Sequence, residues 1–128
     1  MRKNILNILK KKNKTKIVCL TAYSKSVAKI LDEFCDIVLV GDSMAHVLYG
    51  QTNTHSVSLK NIIQHTISVK QGIKKSLLVV DMPKNSYNSL KKAKFNAKKI
   101  LNLTKCDAVK IENNNGNFKI LEGLVKAK

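Results

Sequence analysis

Three short apolar runs, each closing on a carboxylate, restrict what this chain can fold into. Ile37-Val38-Leu39-Val40 leads through Gly41 to Asp42, Leu77-Leu78-Val79-Val80 leads to Asp81, and Ala108-Val109-Lys110-Ile111 leads to Glu112. Runs this apolar read as strands of a parallel sheet buried on both faces, not as strands with one wet side. The stretches between them have helical periodicity, and strands joined by helical crossovers must run parallel. The carboxylates then lie at the C-terminal ends of parallel strands, the edge where α/β sheets and (β/α) barrels build their sites. Asp42, Asp81 and Glu112 placed this way point to a divalent cation such as Mg²⁺, which takes oxygen ligands.

The rest of the chain fills in around these runs. Residues 1–12 form an expected N-terminal helix with Ile5, Leu6, Ile8 and Leu9 in a stripe among lysines. Lys16 to Leu20 reads as the first strand. Ser24 or Ser26 caps the next helix, whose expected buried face is Val27, Ala28, Ile30, Leu31 and Phe34. Asp42 to Tyr49 is an expected helical turn. Ser58 caps a helix with Leu59, Ile62, Ile63, Ile67 and Ile73 at helical spacing and Gly72 near its end. Ser76 to Val80 is the third strand, and a helix starting at Asn88 or Ser89 buries Leu90, Ala93, Ala97, Ile100 and Leu101. Asp107 to Ile111 is the fourth strand and Phe118 to Lys126 the last helix. The result is one domain over residues 1–128, a helix followed by four β/α units. Four units suit either a small doubly wound sheet or half of a (β/α)8 barrel, and periodicity does not separate the two.

Charge gives the competing reading. A net charge of +16 is the usual footprint of a nucleic-acid or anionic-surface binder. Here the charge is almost all lysine, Arg2 is the only arginine, and aromatic residues make up 5%, whereas base and phosphate recognition recruits arginine forks and stacking rings. The lysines therefore read as solvated surface. Cys19, Cys35 and Cys106 sit in or beside apolar runs without C-x-x-C spacing, which suggests buried thiols in a reducing compartment rather than disulfides or zinc. No stretch is long enough to span a membrane and residues 1–12 have no continuous apolar core, so a cytoplasmic protein is expected.

Two further residues bear on the site. Lys110, two positions before Glu112 on the same strand face, either pairs with that acid or meets an anionic ligand. His46, four residues after Asp42, is a candidate fourth ligand, although a lone helical histidine is more often structural. A strand-end acid can also merely cap the following helix. Three at equivalent positions favour a site. The chain has no G-x-G-x-x-G, G-x-S-x-G or P-loop.

The segments Leu20-Thr-Ala-Tyr23, Val40-Gly-Asp-Ser43, His65-Thr66, Asp81-Met-Pro83 with Ser86-Tyr87, and Asp107-Ala-Val-Lys-Ile-Glu112 together resemble the ketopantoate (3-methyl-2-oxobutanoate) hydroxymethyltransferase family, in order and spacing. The resemblance implies a (β/α)8 TIM barrel of which this chain covers the first four units. It implies Mg²⁺ at Asp42, Asp81 and Glu112, with substrate contacts at Asp42, Ser43, Asp81 and Lys110. The implied reaction moves a hydroxymethyl group from the co-substrate 5,10-methylenetetrahydrofolate to 3-methyl-2-oxobutanoate through a Mg²⁺-stabilised enolate. A homo-oligomer is implied too. The family's general base falls in the second half of the barrel, which the resemblance places beyond Lys128, so no residue here matches it, and a fragment inactive alone is expected. Ser24, Lys84 and Asn113-Asn114 depart from the pattern, where Asp, Phe and Gly-Gly are usual.

Two alternatives remain. One is another Mg²⁺-dependent 2-oxoacid enzyme of the phosphoenolpyruvate mutase and isocitrate lyase type, and the other is a basic nucleic-acid-binding module. Against the latter, any binding to duplex DNA should vanish by physiological salt in a filter-binding titration. Salt-resistant, sequence-selective binding would contradict the reading of the lysines as solvated.

Overall fold

Short polar side chains mark where the helices begin. Ser58 accepts from the Asn61 N–H and Asn61 returns the bond, a capping box that starts α4 (Leu59–Lys70), and Ser89 accepts from the Lys92 N–H at the start of α5 (Leu90–Thr104). Asn4 and Asn7 form the same reciprocal box at α1 (Ile5–Lys11). The computed structural model describes residues 3–113 and 116–127. Met1 and Arg2 of the expected N-terminal helix, Asn114 of the Asn113-Asn114 pair, and Lys128, the last residue of the expected domain and the one beyond which the general base is expected, lie outside the described residues. The remaining elements are β1 (Cys19–Thr21), α2 (Lys25–Leu31), β2 (Ile37–Val40), α3 (Met44–Val47), β3 (Leu77–Asp81), β4 (Ala108–Lys110) and α6 (Phe118–Val125).

All strand pairs are parallel and the sheet order is β1-β2-β3-β4. A doubly wound sheet reverses its strand order, so this order sets that alternative aside. Right-handed crossovers in one direction place successive helices on one face, and α2 packs on α4, α4 on α5 and α5 on α6. A parallel four-stranded α/β sheet of this kind fits part of a (β/α) barrel. Among the described residues no helix is long and apolar enough to cross a membrane.

The sheet is not buried equally on its two faces, which corrects the expectation from the apolar runs. Val38, Val40, Leu78 and Val80 are fully enclosed against the helices, joined there by Ala28, Ile62, Val69, Ala93 and Ile100. Ile37, Leu39, Val79 and Ala108 alternate with them and are only half-buried, although Leu77 on the same face is buried beside Lys3, Asn4 and Ile5. The expected buried face of α2 is corrected as well. Ala28 is buried, but Val27, Ile30 and Phe34 are exposed, Phe34 by 73%. The close contact of α2 is with the α4 end, where a Cβ on Gly72 would lie 2.5 Å from the Lys25 carbonyl oxygen and 2.9 Å from the Ala28 Cβ. Gly72 is thus required by close approach; Leu31 packs partly against the core, while among the described residues Val27, Ile30 and Phe34 are left largely uncovered. Ile67 and Leu90 of the expected core also reach solvent, and Cys19 is exposed while Cys35 and Cys106 are buried; all three cysteines are free thiols.

The N-terminal edge of the sheet is held by carboxylates. Asp36, at the start of β2, accepts from the Lys11 ammonium at 2.7 and 2.8 Å and the Val18 N–H at 3.0 Å, and pairs with Lys3 at 2.9 Å. Asp32 accepts from the N–H groups of Lys74, Lys75 and Ser76, tying the end of α2 to the entry of β3. Asp107 accepts from the Leu78 N–H at 2.8 Å. Burial alone would raise the Asp36 carboxyl, but Lys11, the Val18 N–H and Lys3 hold it well below the usual range. A carboxyl lowered in the folded state stabilises above the unfolded value of about 4 and loses that contribution as the pH falls through the folded value. Asp36→Asn should therefore lower stability near neutrality by about 2 kcal/mol. In urea titrations from pH 6 to about 2, the wild-type loss on acidification should shrink in the variant. Equal acid sensitivity of both proteins would rule out this role for Asp36.

Candidate functional site

Strand register brings the first pair of site residues together. In the β3–β4 ladder Asp81 lies directly opposite Lys110, and the Lys110 ammonium donates to Asp81 Oδ1 at 2.6 Å. Both alternate with the helix-facing valines, so they stand on the open face of the sheet at its C-terminal edge. Glu112, the acid expected to pair with Lys110, has Oε1 4.0 Å from the same ammonium, and Asp81 is the nearer partner. The Asp42 N–H donates to the Asp81 carboxylate. Asp42 and Glu112 line a cavity of about 290 Å³ together with Thr54, His55, Lys84 and Tyr87. The carboxyl groups thus gather on one edge of the sheet, none on the helix side.

Gly41 allows this approach. A Cβ at that position would come within 3.0 Å of Ser43 Oγ and 3.2 Å of Asp81 Oδ2, so the bare Cα lets the serine hydroxyl and the carboxylate flank one space. Ser43 stands at the N-cap position of α3 without using its side chain as a cap; its Oγ lies 2.6 Å from the Tyr23 hydroxyl instead. Capping does not account for the acids either. The helices after β3 and β4 start at Leu90 and Phe118, with Ser89 and Asn117 at their caps, well beyond Asp81 and Glu112.

Electrostatics follow from this crowding. Burial pushes the Asp81 carboxyl up, the contact with Lys110 opposes it, and the neighbouring Asp42 carboxylate adds to the rise. Burial would lower the Lys110 ammonium, but Asp81 above all, then Glu112 and Asp42, hold it raised and charged. Burial also raises the Tyr87 phenol, with the Glu112 N–H donating to it and the Glu112 and Asp42 carboxylates nearby. The donor set is all oxygen, as a hard divalent cation requires. Among the described residues, however, no three His, Cys, Asp or Glu side chains are close enough together to hold a metal ion as they stand.

His46 is not brought in: its Nδ1 bonds the Gln51 carbonyl at 2.7 Å. Several residues of the site were missed from sequence. Lys84 reaches His55 Nε2 at 2.9 Å across the cavity, Tyr87 closes the side by Glu112, and Tyr23 holds Ser43. Tyr23, Lys84 and Tyr87 all belong to or adjoin the segments that carry the family resemblance, which was the available signal; Thr54 and His55 had none.

The family model described as ketopantoate hydroxymethyltransferase matches residues 2–128. A 3-methyl-2-oxobutanoate hydroxymethyltransferase of Pelagibacter ubique (strain HTCC1062) is 55% identical over 128 residues, all of this chain and 50% of that protein. The protein of the same name from Anaplasma marginale (strain St. Maries) is 50% identical over 109 residues, 85% of this chain and 39% of its own. That from Rhizobium etli is 50% identical over 97 residues, 75% and 36% respectively. The chain spans half or less of the length of these curated relatives.

The ion pair gives a direct test. Lys110→Met removes the cation touching Asp81, so the Asp81 carboxyl should titrate still higher, followed by its ¹³C carboxyl shift, while Lys110→Arg should leave it nearly in place. An unmoved Asp81 in the Met variant would mean the pair does not form.

Proposed function

The chain belongs to the ketopantoate hydroxymethyltransferase family, and from that premise we propose that it forms the first half of a (β/α)8 barrel that transfers a hydroxymethyl group from 5,10-methylenetetrahydrofolate to 3-methyl-2-oxobutanoate. The observation that carries this reading is the convergence of Asp42, Ser43, Asp81, Lys110 and Glu112 on one strand-end edge beside one cavity. Barrel closure by further units is supported by the sequential strand order and by the half-buried open face, where further strands would bury Ile37, Leu39, Val79 and Ala108.

Asp42, Asp81 and Glu112 are the residues that would hold Mg²⁺. Their oxygen donors suit that ion, and they share one edge of the sheet. Bound there, Mg²⁺ would act as a Lewis acid toward the keto and carboxylate oxygens of a 2-oxoacid, making the proton at C3 easier to remove. The chain's own residues bind and orient. Ser43 offers a hydroxyl to the substrate carboxylate, and Lys110 supplies positive charge beside it while neutralising part of the acid cluster. Removal of the C3 proton falls to a base outside the residues matched to the family pattern here.

Titration calorimetry on the full chain should find 3-methyl-2-oxobutanoate binding that requires Mg²⁺. Asp42→Asn should weaken it at least about tenfold. Binding that ignores both Mg²⁺ and Asp42→Asn would overturn the metal assignment.

A further inference from the structure

Behind Ser43 lies a chain of three hydrogen bonds that the reaction outlined above leaves unused. His65, on α4, places Nδ1 2.8 Å from the Tyr23 carbonyl oxygen and Nε2 3.0 Å from the Tyr49 hydroxyl. Tyr23, just past the end of β1, places its own hydroxyl 2.6 Å from Ser43 Oγ. The direction of each bond follows from its chemistry. A carbonyl oxygen only accepts, so His65 Nδ1 carries a proton. In the neutral ring Nε2 is then bare and accepts from the Tyr49 hydroxyl, whose ring meets the imidazole edge-on with centroids 6.2 Å apart. His65 is thus a strut: it fixes the backbone of Tyr23 where the chain leaves β1, and Tyr49 fixes the tautomer of the strut.

At the last bond the phenol is the stronger acid of the two hydroxyls and is the better donor. Ser43 has one proton and two lone pairs. If it gave that proton to Tyr23, only lone pairs would face the space beside Gly41 and repel an anionic ligand; if it accepts from Tyr23, its proton is left to donate into that space, which Asp81 Oδ2 also borders. We propose that Tyr23 is a positioning residue that donates to Ser43 Oγ, held there by the Tyr49–His65 strut, and so presents Ser43 as a hydrogen-bond donor to the carboxylate of the bound 2-oxoacid. The inference rests on the reading of Ser43 as a substrate contact. It adds Tyr23, His65 and Tyr49 to the specificity apparatus, selecting ligands with an anionic oxygen next to the keto group.

A double-mutant cycle read by calorimetry, with Mg²⁺ and 3-methyl-2-oxobutanoate on the full chain, separates positioning from mere packing. Tyr23→Phe keeps the ring and should weaken binding roughly fivefold to tenfold, the effect of one lost oriented hydrogen bond. In a Ser43→Ala background the same change should have almost no effect, because Tyr23 acts only through Ser43. Equal losses in both backgrounds, or no loss in either, would overturn the proposal. Imidazole ¹⁵N shifts supply a readout independent of ligand: His65 should show a protonated Nδ1 and a bare Nε2, a preference that weakens in Tyr49→Phe. A His65 protonated at Nε2 alone would overturn it too. If the wild-type chain binds no 2-oxoacid while His65 shows the expected tautomer, the substrate reading fails and with it the role given to Tyr23; the strut alone survives as structure.

Discussion

The ion pair between Asp81 and Lys110 exists because the β3–β4 register sets those residues side by side, and the same register decides which face of the sheet becomes a site. Strand side chains alternate, so a slip of one residue in either strand would turn that strand's charge toward the helices and bring Val80 or Val109 to the rim in its place. Val80 is fully enclosed, and that burial opposes the slip. The apolar layer under the helices therefore fixes the chemistry on the opposite face without touching it. The crossover geometry acts on the same point, since sequential parallel strands carry Gly41 of one unit up against Asp81 of the next.

The acids divide by edge. Only eight Asp and Glu stand against 24 Lys and Arg, and six of the eight are at the two ends of the sheet. Asp32, Asp36 and Asp107 at the N-terminal edge accept backbone N–H groups that would otherwise be buried without partners, which is structural work. Asp42, Asp81 and Glu112 at the C-terminal edge cap no helix; Asp81 and Glu112 lie beside Lys110, and Asp42 and Glu112 line the cavity. In so basic a chain, grouping carboxylates against their mutual repulsion is costly, and the lack of a capping role at that edge is in keeping with the cation site proposed for them.

Much of this was legible in the sequence because it depends on local pattern. The apolar runs gave β2, β3 and β4 to within two residues at each end, and Ser58 and Ser89 gave the helix starts. The first strand shifted from residues 16–20 to Cys19–Thr21 for a reason that no local pattern contains: Val18 donates to the Asp36 carboxylate rather than to the ladder. Phe34 and Ile30 looked like core because a helical stripe shows which residues could be buried, not whether a neighbour covers them. Tyr23 and Ser43 are 20 positions apart and Lys84 and His55 are 29, so those contacts appear only once the units stack.

The open face also links closure of the fold to strength of the site. Asp81 and Lys110 lie on the less covered face of the sheet; Asp81 is itself buried, and the lysine remains partly in water. Attraction between two charges at fixed separation grows as the effective dielectric around them falls. Any layer that buries Ile37, Leu39, Val79 and Ala108 would also exclude water from this pair, from Ser43 and from the cavity beside Asp42. Taking water from the cluster raises the cost of leaving three carboxylates with one lysine, so the covered site would hold a cation more tightly than the open one. Burial of the apolar face and binding at the rim would then be coupled, each making the other more favourable.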